Sequence, residues 1–141
     1  MTYTIQTFAA RFNVSEHTIR YYTDIGLLPC GRDRNHRRVF NEESENWMQG
    51  ILCLKGCGAS VEAIQEYGRL CREPETRENL QARYRIILEQ RDAAYRRLKE
   101  AQATVAYMEA KVAHYEAVLA GKEPDDTNPA RWTRKNRPQS H

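Results

Sequence analysis

Three groups of side chains in this 141-residue chain carry types and spacings that could do chemistry. The first is the run Ser15, Glu16, His17, Thr18, Ile19, Arg20, Tyr21, Tyr22. An arginine beside two phenols, with a hydroxyl two residues before, suits phosphate and base-edge contact in a major groove. Thr18, Arg20, Tyr21 and Tyr22 are too polar to hide together, so they are expected to face outward while Ile19 and Ile25 face a core. The second group is Arg32, Arg34, Arg37 and Arg38, four flexible cations within seven residues that can reach phosphates across a groove edge. The third is a set of thiols: Cys30, Cys53, Cys57 and Cys71.

The flanking residues say how the first two groups would be held. Thr4 can cap a short helix from Ile5 to Phe12, with Ile5, Phe8, Ala9 and Phe12 at the 3–4 spacing of a buried face. Asn13 stands in a turn, at a position where positive φ is tolerated by Asn. Ser15 is the natural N-cap of a second helix, and Glu16 in its first turn complements the helix dipole. Gly26 stops that helix, and Leu27-Leu28-Pro29 fold the exit back onto the core. Residues 30–40 read as a turn-rich hairpin carrying the four arginines. Asn41-Glu42-Glu43 opens a third helix with Trp47, Ile51 and Leu54 on one side and the small residues Gly50, Cys53 and Cys57 on another stripe. Gly56 and Gly58 end it, Ser60 caps a fourth helix, and Pro74 marks the next break.

These residues form an ordered set. Tyr3-x-Ile5-x-x-Phe8-Ala9, Val14-Ser15-x-x-Thr18-Ile19-Arg20-Tyr21-Tyr22, Gly26-Leu27-Leu28-Pro29 and Arg38-x-Phe40 together resemble the MerR family of bacterial transcription regulators. The match runs in register through Leu70, and a long helix follows as in that family. The resemblance implies a mostly α fold: a winged helix-turn-helix DNA-binding head followed by a long dimerising coiled-coil helix. It makes the arginine hairpin the wing. It also implies contacts to double-stranded promoter DNA from Ser15, His17, Thr18, Arg20, Tyr21, Tyr22, Arg32, Arg34, Arg37 and Arg38. Many members carry an aromatic where this chain has Arg37, and the family more often has Glu at the place of Thr7.

From Thr76 the pattern becomes regular. Leu80, Tyr84, Ile87, Arg91, Ala94, Leu98, Ala101, Val105, Met108, Val112, Tyr115 and Leu119 alternate steps of four and three. Such a seam specifies a left-handed coiled coil, a rod of roughly 60 Å at 1.5 Å per residue. No second helix in the chain is long enough to cover it, so the expected partner is another copy. Antiparallel pairing, which separates the two heads, is what the family implies. The expected domains are 1–72 for the DNA-binding head, 75–120 for the dimerisation helix and 121–141 for a basic tail without periodicity, read as disordered.

A mean hydropathy of -0.81 and 40% hydrophobic residues suit a small core plus an extended helical element. The net charge of +3 is modest. Within residues 1–40, however, six arginines face three acidic residues, so the cationic excess sits where counterions would be released on DNA binding. No apolar run approaches the roughly 18 residues that a span requires, and no charged start with a cleavage site is seen. A cytoplasmic location with reduced thiols is expected.

The cysteines leave alternatives open. The segment Cys53-Leu54-Lys55, Gly58-x-Ser60-Val61-x-x-Ile64-x-x-Tyr67, with Lys111-Val112-x-x-Tyr115, resembles the branch of the family that answers to aldehydes and other thiol-reactive electrophiles. That branch carries a cysteine at the place of Cys53, which makes Cys53 the candidate sensor thiol. A small packing residue is the competing reading. Metal sensing through Cys53, Cys57 and Cys71 is a further one, with His114 the lone candidate ligand later in the chain. An iron–sulfur cluster would need four clustered thiolates. No nucleophile–base–acid spacing, phosphate loop or paired-carboxylate signature points to an enzyme, and no cofactor or resident metal is expected. The remaining class is an architectural DNA binder that senses nothing. Family likeness implies that two heads bind the halves of a near-palindrome and distort a long promoter spacer, acting on RNA polymerase indirectly.

Overall fold

The computed structural model describes residues 1–139; the last two residues of the expected tail, Ser140 and His141, lie outside the described residues. In chain order the elements are β1 (Tyr3–Thr4), α1 (Ile5–Arg11), α2 (Glu16–Asp24), β2 (Gly31–Arg32), β3 (Arg38–Phe40), α3 (Glu42–Gly56), α4 (Val61–Arg72) and α5 (Arg77–Leu119), followed by a 3₁₀ turn at Pro129–Arg131. The architecture is mostly helical, with a winged helix-turn-helix at the N-terminus and one long helix after it. Two compact units divide at Asp92/Ala93.

Local chemistry sets the boundaries in the first unit. Thr4, Ser15, Asn41 and Ser60 each cap the helix that follows, their side-chain oxygens accepting from Thr7, Thr18, Ser44 and Ala63 backbone N–H groups. Each such cap contributes about 1 kcal/mol by satisfying an orphan donor. The α3 cap is reciprocal: Ser44 Oγ accepts from the Asn41 N–H, while itself donating 2.8 Å to the Pro29 carbonyl. That second bond ties the start of α3 to the exit of α2. Asn13 takes φ 52° in the turn between α1 and α2, and Gly26 takes φ 74° just past α2. There the Leu27 and Leu28 N–H groups both return to the Tyr22 carbonyl.

The core of this unit collects Phe8, Ile19, Leu27, Leu28, Phe40, Met48, Ile51 and Ile64. Phe8 stacks on Phe40 with ring centroids 4.4 Å apart, and Phe12 tilts against Phe8 at 4.9 Å. This aromatic cluster fastens α1 to the sheet. The sheet itself has order β1-β3-β2, antiparallel throughout, with Tyr3 opposite Phe40 and Arg32 opposite Arg38. On α3 the deepest residue is Met48, fully buried; Trp47 and Leu54 are only half-buried. Trp47 instead stacks under the Arg72 guanidinium at 4.1 Å, and Arg72 also donates to the Leu27 carbonyl. Helix α5 begins with Thr76 accepting from Asn79 N–H, and buried Asn79 donates 2.8 Å to the Leu70 carbonyl at the end of α4.

Along α5 the seam residues stand open in the single chain. Leu80, Tyr84, Leu98, Val105, Met108 and Val112 are each more than half exposed, and Leu119 is 85% exposed. No helix among the described residues is long and apolar enough to cross a membrane.

Candidate nucleic-acid interface

Helix α2 is aimed by its inner residues. Ile19 is completely buried, and the two residues after it turn to solvent. Arg20 and His17 are exposed, and Tyr21 is 42% exposed. Ser15 and Thr18 are partly committed to the cap: Ser15 Oγ accepts from Thr18 N–H at 3.0 Å and the two hydroxyls lie 2.9 Å apart.

Tyr22 departs from expectation. It is only 4% exposed and belongs to the core, with its ring 5.8 Å from that of Tyr21 and under Lys55 Nζ at 5.9 Å. The reason is helical geometry: Tyr22 follows Ile19 by three residues, so it falls on the same face. Its phenol made it look like a surface residue, but its position makes it a core residue with a polar tip.

The hairpin between β2 and β3 is a tight turn organised by Asp33. One carboxylate oxygen, Oδ1, accepts from the backbone N–H of both Asn35 and Arg37, a local side-chain turn of the type Asp favours. His36 takes φ 59°. Arg32 donates to the His36 carbonyl at 3.0 Å, so its guanidinium is anchored across the turn. Arg34 and Arg37 are exposed and make no ion pair among the described residues. Arg38 is half-buried and engaged with Asp24. Strand pairing explains it: Arg38 sits at the start of β3, close to the sheet, whereas Arg34 and Arg37 occupy the turn.

What the structure brings together is the first two groups of residues. Arg20 of α2 and Arg32, Arg37 and Arg38 of the hairpin line one polar concavity of about 540 Å³, closed on its other side by Thr4, Ile5 and Gln6. Four guanidinium groups from two elements surround one opening, with the carboxylates of Glu16 and Asp33 also on its lining, so positive charge is in excess there. Sequence reasoning missed β1 and the closure of this concavity by the start of α1. A two-residue strand has no periodicity by which it could be read.

The thiols lie elsewhere. Cys53, Cys57 and Cys71 are exposed and Cys30 is half-buried. Cys53 Sγ accepts from Gln49 Nε2 at 3.6 Å, one turn back on α3. Cys71 borders an apolar pocket of about 220 Å³ between α3 and α4, together with Trp47, Leu54 and Tyr67. Among the described residues no group of three His, Cys, Asp or Glu side chains could hold a metal ion. His114, far from these thiols in sequence, lies between Glu123 and Asp126.

Comparison with known proteins places this geometry. The MerR HTH family regulatory protein profile matches residues 3–71. The HTH-type transcriptional regulator AdhR of Bacillus subtilis (strain 168) is 33% identical over 88 residues, which cover 62% of this chain and 61% of that protein. Curated relatives are matched over only half to three-fifths of their own length. Among solved structures, HiNmlR, a MerR family regulator lacking the sensor domain and bound to promoter DNA, superposes with a TM-score of 0.69 at 28% identity. The match covers 86% of this chain and 92% of that one. A candidate MerR family transcriptional regulator from Listeria monocytogenes superposes with a TM-score of 0.71 at 30% identity, covering 84% of this chain and 89% of that one.

Proposed function

Because the chain belongs to the MerR family of helix-turn-helix regulatory proteins, we propose that it regulates transcription by binding promoter DNA as a homodimer. The observation that carries this reading is the shared concavity, in which Arg20 of α2 and the hairpin arginines open on one side. Helix α2 enters the major groove in this reading. Its outward side chains, His17, Thr18, Arg20 and Tyr21, meet bases and phosphates, and Ser15 fixes its N-terminus. Arg34 and Arg37 grip the backbone beside the groove, with Arg32 and Arg38 setting the hairpin's shape and adding positive potential. Tyr22 acts by packing rather than by contact. The likeness to HiNmlR, solved bound to promoter DNA, supports promoter DNA as the partner.

The dimer rests on the exposed seam from Leu80 to Leu119. Its large apolar side chains recur at heptad spacing and lie open in a single chain, and burying them against a second copy would contribute about 25 cal/mol per Å² removed from water. With two heads held at a fixed separation, the protein binds a near-palindrome, distorts the spacer and affects RNA polymerase at the promoter. The domains follow the same division, with residues 1–72 as head, 75–120 as dimerisation helix and 121–141 as tail.

Sensing is assigned to Cys53. Its sulfur is exposed, and the likeness to AdhR and HiNmlR covers the region that contains it. Covalent capture of an electrophile by the thiolate would alter the surface of α3 within the head. Sedimentation of the chain with and without a promoter duplex tests the assembly: two chains per duplex are expected, and a single chain per duplex contradicts the proposal.

A further inference from the structure

The end of α5 and the segment after it meet around one imidazole. His114 Nδ1 lies 2.5 Å from Glu123 Oε2, and His114 Nε2 lies 2.5 Å from Asp126 Oδ1. A neutral imidazole has one N–H and can donate to only one carboxylate; only the imidazolium can donate to both. Within the segment, Trp132 Nε1 donates 2.6 Å to the Asp126 carbonyl, which ties the indole to the same loop that carries the carboxylates. Between the segment and α5 lies a cleft of about 330 Å³ lined by Tyr107, Lys111, His114, Tyr115 and Trp132.

We propose that His114, Glu123 and Asp126 form a proton-operated clasp that pins residues 122–132 to the last turns of α5 and releases them when the imidazole loses its proton. Charged groups stand on both sides of the clasp. On α5, Lys111 Nζ stands 5.4 Å over the Tyr107 ring. On the segment, Asp125 accepts from the Thr127 hydroxyl and N–H, which, followed by the charges of Arg131 and His114, hold its carboxyl below the usual range. Asp126 first, then Glu123, hold the imidazolium above its ordinary value of 6.5. The clasp therefore contributes fully below pH 6.5 and is lost as pH rises through the raised value. Opening frees a segment whose continuation carries Arg134, Lys135 and Arg137.

The test uses the full chain with Trp47→Phe, so that Trp132 is the sole indole. Its emission and the His114 imidazole NMR shift are followed from about pH 5 to about pH 8, a range that brackets ordinary histidine titration. The clasp predicts a Trp132 transition that coincides with His114 titration, at a midpoint above 6.5. In Glu123→Gln/Asp126→Asn the midpoint drops toward the ordinary value and the Trp132 transition disappears. The Trp132 indole N–H signal in the unsubstituted chain gives the same reading should Trp47→Phe fail to fold. A Trp132 signal that stays constant while His114 titrates overturns the proposal, as does a double variant that titrates where the parent does.

Discussion

Arg38 Nη2 lies 2.7 Å from Asp24 Oδ1, joining the first residue of β3 to the last residue of α2. The two elements that carry the cationic surface are thus braced against each other by a bond between their ends. Arg38 Nε is buried and, among the described residues, lacks a hydrogen-bond partner, so Asp24 is the contact that compensates this guanidinium. The brace fixes the angle at which the hairpin and the helix would meet a duplex.

Asp24→Asn should therefore change recognition more than folding. Asp24 is 62% exposed and Arg38 21%, and ion pairs of that exposure contribute about 0–1 kcal/mol. Urea unfolding is expected to move by no more than about 1 kcal/mol. The ratio of specific to non-specific DNA affinity should fall, because the hairpin loses its set angle while the surface gains positive charge. An unchanged ratio in competition titrations would remove the brace from the account.

The two adjacent tyrosines should separate cleanly. Tyr22→Ala empties a core position and should cost about 3–5 kcal/mol of stability, as aromatic truncations do. Tyr22→Phe should leave both folding and DNA affinity near the parent. Tyr21→Ala should leave stability within about 0.5 kcal/mol and weaken DNA binding. Equal loss of stability in the two alanine variants would contradict the placement of these rings.

That pair also shows how far the sequence could be read. The caps at Thr4, Ser15, Asn41 and Ser60 and the stop at Gly26 were legible, because each depends on a hydrogen bond or a φ angle within a few residues. The seam on α5 was legible because a repeat of twelve positions cannot arise from local accident. Tyr22 is less legible, because a phenol's chemistry points to the surface while only its spacing from Ile19 places it in the core. The Asp24–Arg38 brace spans 14 residues, and β1 is only two residues long; neither leaves a periodic trace. The Ser44–Pro29 bond was hidden for the same reason, since it depends on how α3 returns to the end of α2. Around His114, the carboxylates come from a turn after α5 that shows no pattern of its own.

Arg20, Arg34 and Arg37 should differ in how they fail. Arg20→Ala is expected to cost roughly 1–3 kcal/mol at the preferred site and to relax specificity at one base position. Arg34→Ala and Arg37→Ala should weaken binding evenly across sequences. Each should also lower the slope of log affinity against log salt by about 1. Affinity titrations at several salt concentrations decide it; an Arg20 variant with an unaltered profile is not reading a base.

Cys53→Ser should bind promoter DNA as the parent does, yet lose the response to formaldehyde or methylglyoxal. Intact-mass spectrometry after graded exposure should place the first adduct on Cys53. A serine variant that still responds moves the sensing role to Cys57 or Cys71, and a parent that never reacts ends the thiol reading.

The most direct measurement is selection of duplexes from a random pool by the full chain, followed by sequencing. Two α5-linked heads that read DNA through α2 predict enrichment of a near-palindrome with two half-sites at one fixed spacing. Enrichment of an isolated half-site, of AT-rich sequence without symmetry, or of nothing at all would contradict the account.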